Sequence, residues 1–552
     1  MSAVDIDRVV EQKGGLRQSM AWLHTWGGLI AGWLLFAIFF TGTLGVFDEA
    51  ITRWMKPEAA HRAEGPEPVW DRADAVRKAQ AYLEKVAPPG SHFWSIGLPT
   101  VENPAIRVFH EDDKEQFHRE RLDIASGEPL PKTAERATEG GHHFVHMHFE
   151  FHAGEAGIWL VGFVTMAMLV ALVSGIITHK RFFKDFFTFR PAKGQRSWLD
   201  AHNAVSVLSL PFQFMIAYTG LATFYSLYMP FVIDAHYPQE GTFFEALVAD
   251  PPHRPETHID APLLRLDGLL QNAEQTLGTR ASFVVVEHPG DSSASVRIFG
   301  LFDEAVQRGK LLPPGSGRMD FDGVTGDVLD TRMPGERRGS GATATQNVMR
   351  TLHFAGFGGD TIRWLYFVMG MAGAAMMATG GILFSVKRRQ KSLNEFGAQT
   401  ARVYRVIDVL NVASITGLAV SCIAFLWLNR VLPLALEQRA EWEVRGFFAV
   451  WALLLVHASV RPIGRAWIEQ LLLGALLCLA LPLLNWATTG GHVITYLFER
   501  DWERFGVELT ALGFGVLCIF AVVKLRRRQL QHEDVGRANR PRPARKAVEV
   551  AL

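Results

Sequence analysis

Cysteine is scarce in this chain. Its 552 residues hold three, Cys422, Cys478 and Cys518. Each lies inside an apolar run and none forms a CxxC pair, so the cysteines imply neither a disulfide scaffold nor a zinc site. Net charge is absent as well. The 56 Lys and Arg residues balance 56 Asp and Glu, which argues against a nucleic-acid partner. No Gly-x-Gly-x-x-Gly follows a strand pattern, so neither a flavin nor a nicotinamide domain is indicated. Acids are few within the apolar runs, which weakens the case for a transporter built on intramembrane carboxylates. The first apolar run, from Trp22, is too long for the h-region of a cleaved signal peptide and lacks a small-residue cleavage site. It reads as a retained helix.

What the chain has in quantity is apolar runs of about twenty residues, the length that crosses a hydrocarbon core of about 30 Å. Eight are expected, near 22–47, 158–178, 201–226, 361–386, 405–428, 446–460, 466–486 and 507–524, the sixth being the shortest. Basic residues flank them on one side: Arg8, Lys13 and Arg17 before the first, Lys180, Arg181 and Lys184 after the second, Lys387, Arg388 and Arg389 after the fourth, and Lys524 to Arg528 at the last. That bias predicts a multi-pass membrane protein with both termini cytoplasmic.

Two polar inserts would lie outside. The expected division is 1–49 (N-terminus and first span), 50–145 (first insert), 146–229 (second and third spans), 230–350 (second insert), 351–400 (fourth span), 401–528 (four further spans) and 529–552 (basic tail). Each insert offers one helix followed by short strands. Each closes on a similar turn, Asp123-Ile124-Ala125-Ser126-Gly127 or Asp322-Gly323-Val324-Thr325-Gly326. An Asp that bonds backbone and a Gly that tolerates positive φ make these structural turns rather than catalytic ones.

The inserts belong to a duplication. His24 with Thr41-Gly42 recurs 178 residues later as His202 with Thr219-Gly220. His148-Phe149 precedes Ser174-Gly175 by the spacing at which His353-Phe354 precedes Thr379-Gly380, and Trp159 falls on Trp364. Parallel repeats of this kind are normally related by an axis along the membrane normal. His24 and His202 would then oppose one another near the cytoplasmic side, and His148 and His353 near the outer side. Opposed imidazoles from two helices suit the axial positions of a haem iron, and nearby glycines would admit a flat macrocycle.

Interfacial histidines also occur without any cofactor. A continuous helix from His148 to Thr178 would be about 45 Å long at about 1.5 Å per residue. That places His148 above the bilayer core and leaves His152 as a rival outer ligand. His179 ends the second span without a counterpart in the other half. His142, His143 and His146 complete a dense outer cluster, open to a metal, a substrate or plain solvation. His457 lies in the sixth span without an evident partner.

The segments HTWGGLIAGWLLFAIFFTG, HFEFHAGEAGIWLVGF, SGIITHKRFFKDFFTFRP, SWLDAHN and LHFAGFG…ATGGILFSVKRR together resemble the PepSY-associated transmembrane-helix family, over about residues 15–390. The resemblance implies an α-helical membrane protein with two α+β periplasmic PepSY-like inserts. It also implies b-type haem, two copies being expected, held by His24, His202, His148 or His152, and His353, with His179 a further candidate. The implied activity is ferric-siderophore reduction in iron uptake, the substrate being ferric iron in its chelate and the donor a quinol or a separate reductase. PepSY domains also occur as inhibitory modules of peptidases, so the competing expectation is a non-redox membrane regulator or assembly factor.

Overall fold

The computed structural model describes residues 15–58, 70–88, 91–100, 105–112, 116–130, 136–178, 195–237, 243, 254–301, 315–336, 341–388 and 397–538. His179 and the basic stretch behind it lie outside the described residues. Among the described residues, eight helices are long and apolar enough to cross a membrane. They are α1 (Leu16–Gly45), α5 (Gly154–Thr178), α6 (Gln195–Thr223), α9 (Gly359–Arg388), α10 (Thr400–Val431), α11 (Arg439–Val460), α12 (Ile463–Thr489) and α14 (Trp502–Ala538). The sixth span begins seven residues earlier than its apolar run suggested. Its first turns carry Arg439 and Glu443, which the fold buries as a pair.

The chain divides into two compact units, one of residues 1–57, 136–208 and 370–552, the other of 58–135 and 209–369. In the first unit, small residues of α9 meet α1. A side chain at Gly373 would run into Phe39, and one at Gly370 into Thr43. Close approach of this kind is how helices associate in lipid, where no hydrophobic drive between them exists.

α10 joins the same group. Its Asn411, almost fully buried, accepts from Trp33 Nε1 of α1 at 2.8 Å and donates to Gly381 O of α9 at 3.2 Å. Just beyond it Ala413–Gly417 form a π-turn, and Trp451 donates to the Ala413 carbonyl at 2.9 Å. A freed backbone acceptor must find such a donor when no water is near. His457 has a partner after all. Glu469, on the next span, stands 2.9 Å from its Nε2 and also pairs with Arg461. The sequence hides this pair because the turn between α11 and α12 brings together residues twelve apart.

The second unit holds a seven-stranded antiparallel sheet in the order β3-β2-β1-β4-β5-β6-β7. β1 (Phe93–Gly97), β2 (Ile106–Glu111) and β3 (Phe117–Leu122) come from the first insert. β4 (Ala281–Glu287), β5 (Ser295–Gly300), β6 (Arg318–Asp322) and β7 (Val328–Arg332) come from the second. The inserts therefore share one sheet, joined where β1 pairs β4. The register is self-complementary about Ser95↔Val285, with Trp94↔Val286 and Ile96↔Val284 on either side.

α3 (Arg72–Val86) and α7 (Leu266–Leu277) bury Ala75, Val76, Leu83, Leu270 and Ala273 against the inward residues Ile96, Ile106, Val284 and Ile298. Both Asp turns are structural. Asp123 Oδ1 accepts from Ser126 N and Asp322 Oδ1 from Thr325 N, each at 2.8 Å, and Gly127 and Gly326 take positive φ. Because Ile96 is fully buried at the seam, Ile96→Ala should cost about 2–5 kcal/mol. Thermal unfolding of the purified protein would show it as a lowered midpoint, and an unchanged midpoint would mean that the seam carries no packing energy.

Candidate functional site

The four duplicated histidines repeat one local geometry. His24, on the first turns of α1, donates from Nδ1 to Ala171 O of α5 at 2.9 Å. His202, on α6, donates from Nδ1 to Met376 O of α9 at 3.1 Å. His148 does so to Ile38 O of α1 at 2.8 Å. His353 does so to Ile216 O of α6 at 3.1 Å, with Thr219 Oγ1 at 3.2 Å. A carbonyl only accepts, so each Nδ1 carries the ring proton and each Nε2 carries the lone pair.

Each ring also lies over a glycine of the helix it bonds. A Cβ on Gly175 would stand 3.0 Å from His24 Cε1, one on Gly380 3.4 Å from His202 Cε1, and one on Gly220 2.8 Å from His353 Cε1. A Cβ on Gly42 would run into the His148 ring. These are the duplicated Thr-Gly and Ser-Gly marks, and their purpose is to leave room for an imidazole. Gly175→Ala should displace the His24 ring and cost about 1–3 kcal/mol as an overpacked contact. A thermal midpoint equal to wild type would show that the ring can move aside freely.

His24 and His202 come together within the first unit, with ring centres 6.5 Å apart and planes at 58°. Two imidazoles sharing one metal at about 2 Å per metal–nitrogen bond have centres about 6 Å apart. One turn along α1 from His24, a small crevice of about 10 Å³ is lined by Gly28, Gly32, Met377, Gly381 and Asn411.

The outer cluster resolves differently from its expectation. His148 ends a separate short helix, α4 (His142–Phe149), not an extension of α5. Phe151, His152 and Gly154 take positive φ and reverse the chain between the two helices. The break brings His148 down onto Ile38 and Gly42 of α1 instead of leaving it above the span. The second half breaks at the matching place. There α8 (Gly341–His353) ends on the histidine and Ala355, Gly358 and Gly359 take positive φ. Burial holds the His148 imidazole below its ordinary pKa, its bond to Ile38 opposing only in part. Burial thus favours the neutral ring, the form a metal ligand must have.

His152 does not share the pattern. Its Nε2 lies 2.9 Å from Nδ1 of His143, which stacks on Phe425 at 4.1 Å. Burial, reinforced by His152 and His146, pushes His143 well below the usual imidazole range. His146 pairs with Glu150 at 2.5 Å and His142 with Asp48 at 3.5 Å.

A family model for the PepSY-associated TM region matches residues 21–387. The chain belongs to that family. An uncharacterized protein of Pseudomonas aeruginosa is 27% identical over 387 residues, covering 68% of this chain and 92% of the relative. The PepSY-associated region takes in all four anchored histidines and ends before α10. Asn411 and the π-turn, which border the crevice, therefore lie outside that region. Sequence reasoning missed that border, since one Asn in an apolar run carries no periodic signal.

Proposed function

We propose that this multi-pass membrane protein is a b-type haem oxidoreductase of a bacterial inner membrane. It would pass electrons to a ferric-siderophore or other ferric acceptor on the side of the inserts. One observation carries this most directly: His24 and His202 stand at the centre-to-centre distance of a shared metal, each with Nδ1 committed to a helix carbonyl. A second imidazole nitrogen held by a backbone acceptor is the usual arrangement of a metal-ligating histidine, fixing tautomer and ring orientation. When bound, haem b supplies a one-electron carrier inside the bilayer.

The chain's own residues do the rest. Ala171 and Met376 orient the two rings, Gly175 and Gly380 make space for them, and Leu29, Trp33 and Phe36 give the crevice an apolar wall. His148 and His353, each on its own helix pair, carry the same preset. The substrate is ferric iron. One electron per ion gives Fe(II), which the oxygen ligands of a siderophore hold less tightly. The donor is a quinol or a separate reductase. Protein purified in detergent tests the reading. A reducible low-spin b-type spectrum with stoichiometric porphyrin supports it. A chain free of porphyrin would overturn it and favour a non-redox membrane regulator.

A further inference from the structure

Away from the spans, three side chains of the sheet unit converge. His92, Glu256 and His288 each offer a ligand atom, and these atoms lie within 4.8 Å of one another. His92 Nδ1 is 3.3 Å from Glu256 Oε2, and the two imidazoles meet edge to face at 6.2 Å. Tetrahedral ligation at about 2.0–2.1 Å per bond spaces ligand atoms by about 3.3–3.5 Å. The first pair already has that spacing. His92 is more than half exposed.

The backbone prepares this convergence. His92 immediately precedes β1 and His288 immediately follows β4. His288 N donates to His92 O at 3.0 Å, one step beyond the Phe93↔Glu287 pair. His288 has φ +49°, a left-handed conformation that a residue with a Cβ rarely adopts, and non-glycine residues held there cluster at ligand sites. Glu256 is fixed by a different device. The Asp291 carboxylate accepts from Thr257 N, Thr257 Oγ1 and Ile259 N at 2.7–3.1 Å, and from Ser293 N and Oγ at 2.7 and 2.6 Å. Ala261 N donates to Gly290 O, and Arg254 on the other side pairs with Asp322. The segment bearing Glu256 is thus tied at both ends to the sheet. Asp291 is consumed in tying it and is not a ligand.

We propose that His92, Glu256 and His288 form a binding site for a divalent transition metal of the zinc class, closing a clip across the seam between the two inserts. Two histidines and one glutamate are an established zinc donor set with a fourth position open. That position would fall to water or to His258, whose Nδ1 is 3.7 Å from the other Glu256 oxygen. One ligand comes from the first insert and two from the second, so the ion joins segments nearly two hundred residues apart in sequence.

Zn²⁺ is the probe, with the full-length protein in detergent. After stripping with EDTA, zinc is titrated against a competing chromophoric chelator and bound metal is counted per chain. Wild type should bind one ion, and zinc should raise its thermal midpoint. His92→Ala alters an exposed side chain and Glu256→Gln keeps the size and shape of a partly buried one, and their midpoints in EDTA should equal that of wild type. Each should weaken zinc binding by about 100-fold or more and lose the zinc-induced rise in midpoint. His142→Ala and His146→Ala should change neither. A wild type that takes up no zinc, variants that bind it as tightly as wild type, or loss of binding in His146→Ala instead would each overturn the proposal.

Discussion

Replacing His202 with alanine is expected, on the proposed function, to remove a reducible b-type component, with the loss of one haem per chain. Low-spin ligation would need both imidazole nitrogens, and the two rings come from different spans whose carbonyl anchors, Met376 and Ala171, are independent. His24→Ala should therefore give the same loss, although the two residues lie in different repeats. Truncation to alanine leaves the His202 ring's place over Gly380 empty, so the helices have no new clash to relieve. His457→Ala, which removes an imidazole already paired with Glu469, should leave the spectrum unchanged. Dithionite-reduced minus oxidised spectra with porphyrin counted per chain give the answer. An intact component in both variants would remove these residues from any ligand set.

The second large effect concerns stability. Arg439 and Glu443, one turn apart at the start of α11, are both fully buried and paired. Arg439 also donates to Ala137 O at 2.9 Å and Asn429 O at 2.5 Å, while Glu443 accepts from Asn429 Nδ2 at 2.8 Å and from Thr138 Oγ1. Arg439→Ala would leave a carboxylate in the interior with its cation gone and two carbonyls short of a donor. Breaking a buried pair from one side costs about 3–5 kcal/mol, whereas replacing both members with apolar residues is often neutral. Arg439→Leu with Glu443→Leu should then recover most of the loss. Arg445→Ala, which breaks an exposed pair with Glu441 and an exposed contact with the Trp442 ring, should cost no more than about 1 kcal/mol. Thermal unfolding of the four proteins decides the matter. A double variant no better than Arg439→Ala would mean that the carbonyls, not the stranded charge, set the cost.

The spans were legible because hydropathy over twenty residues is a sum that single polar residues barely disturb. The His24 and His202 pairing was legible for a different reason: duplicated marks at fixed distance fix a relation between two helices that neither helix shows alone. His148 shows where this fails. Its register was visible, yet its depth depended on a chain reversal at Phe151–Gly154 that a count of residues per turn cannot see. The buried polar group of the later helices was also out of reach. Arg430 donates to Asn485 and to the carbonyls of Trp54 and Met55, and Asn485 donates to Glu508. Those residues stand singly in four separate stretches, so nothing local pairs them. The same holds for His92, Glu256 and His288, which only the sheet brings together.

The symmetry of the β1–β4 pairing bears on the history of the molecule. A strand that binds its own duplicate about a local two-fold, centred here on Ser95 and Val285, presents an edge that fits a second copy of itself equally well. A single ancestral repeat could have closed this sheet as a homodimer before fusion made the partnership permanent. Once the copies were linked, each was at liberty to change alone, and one strand now follows an imidazole while the other precedes one.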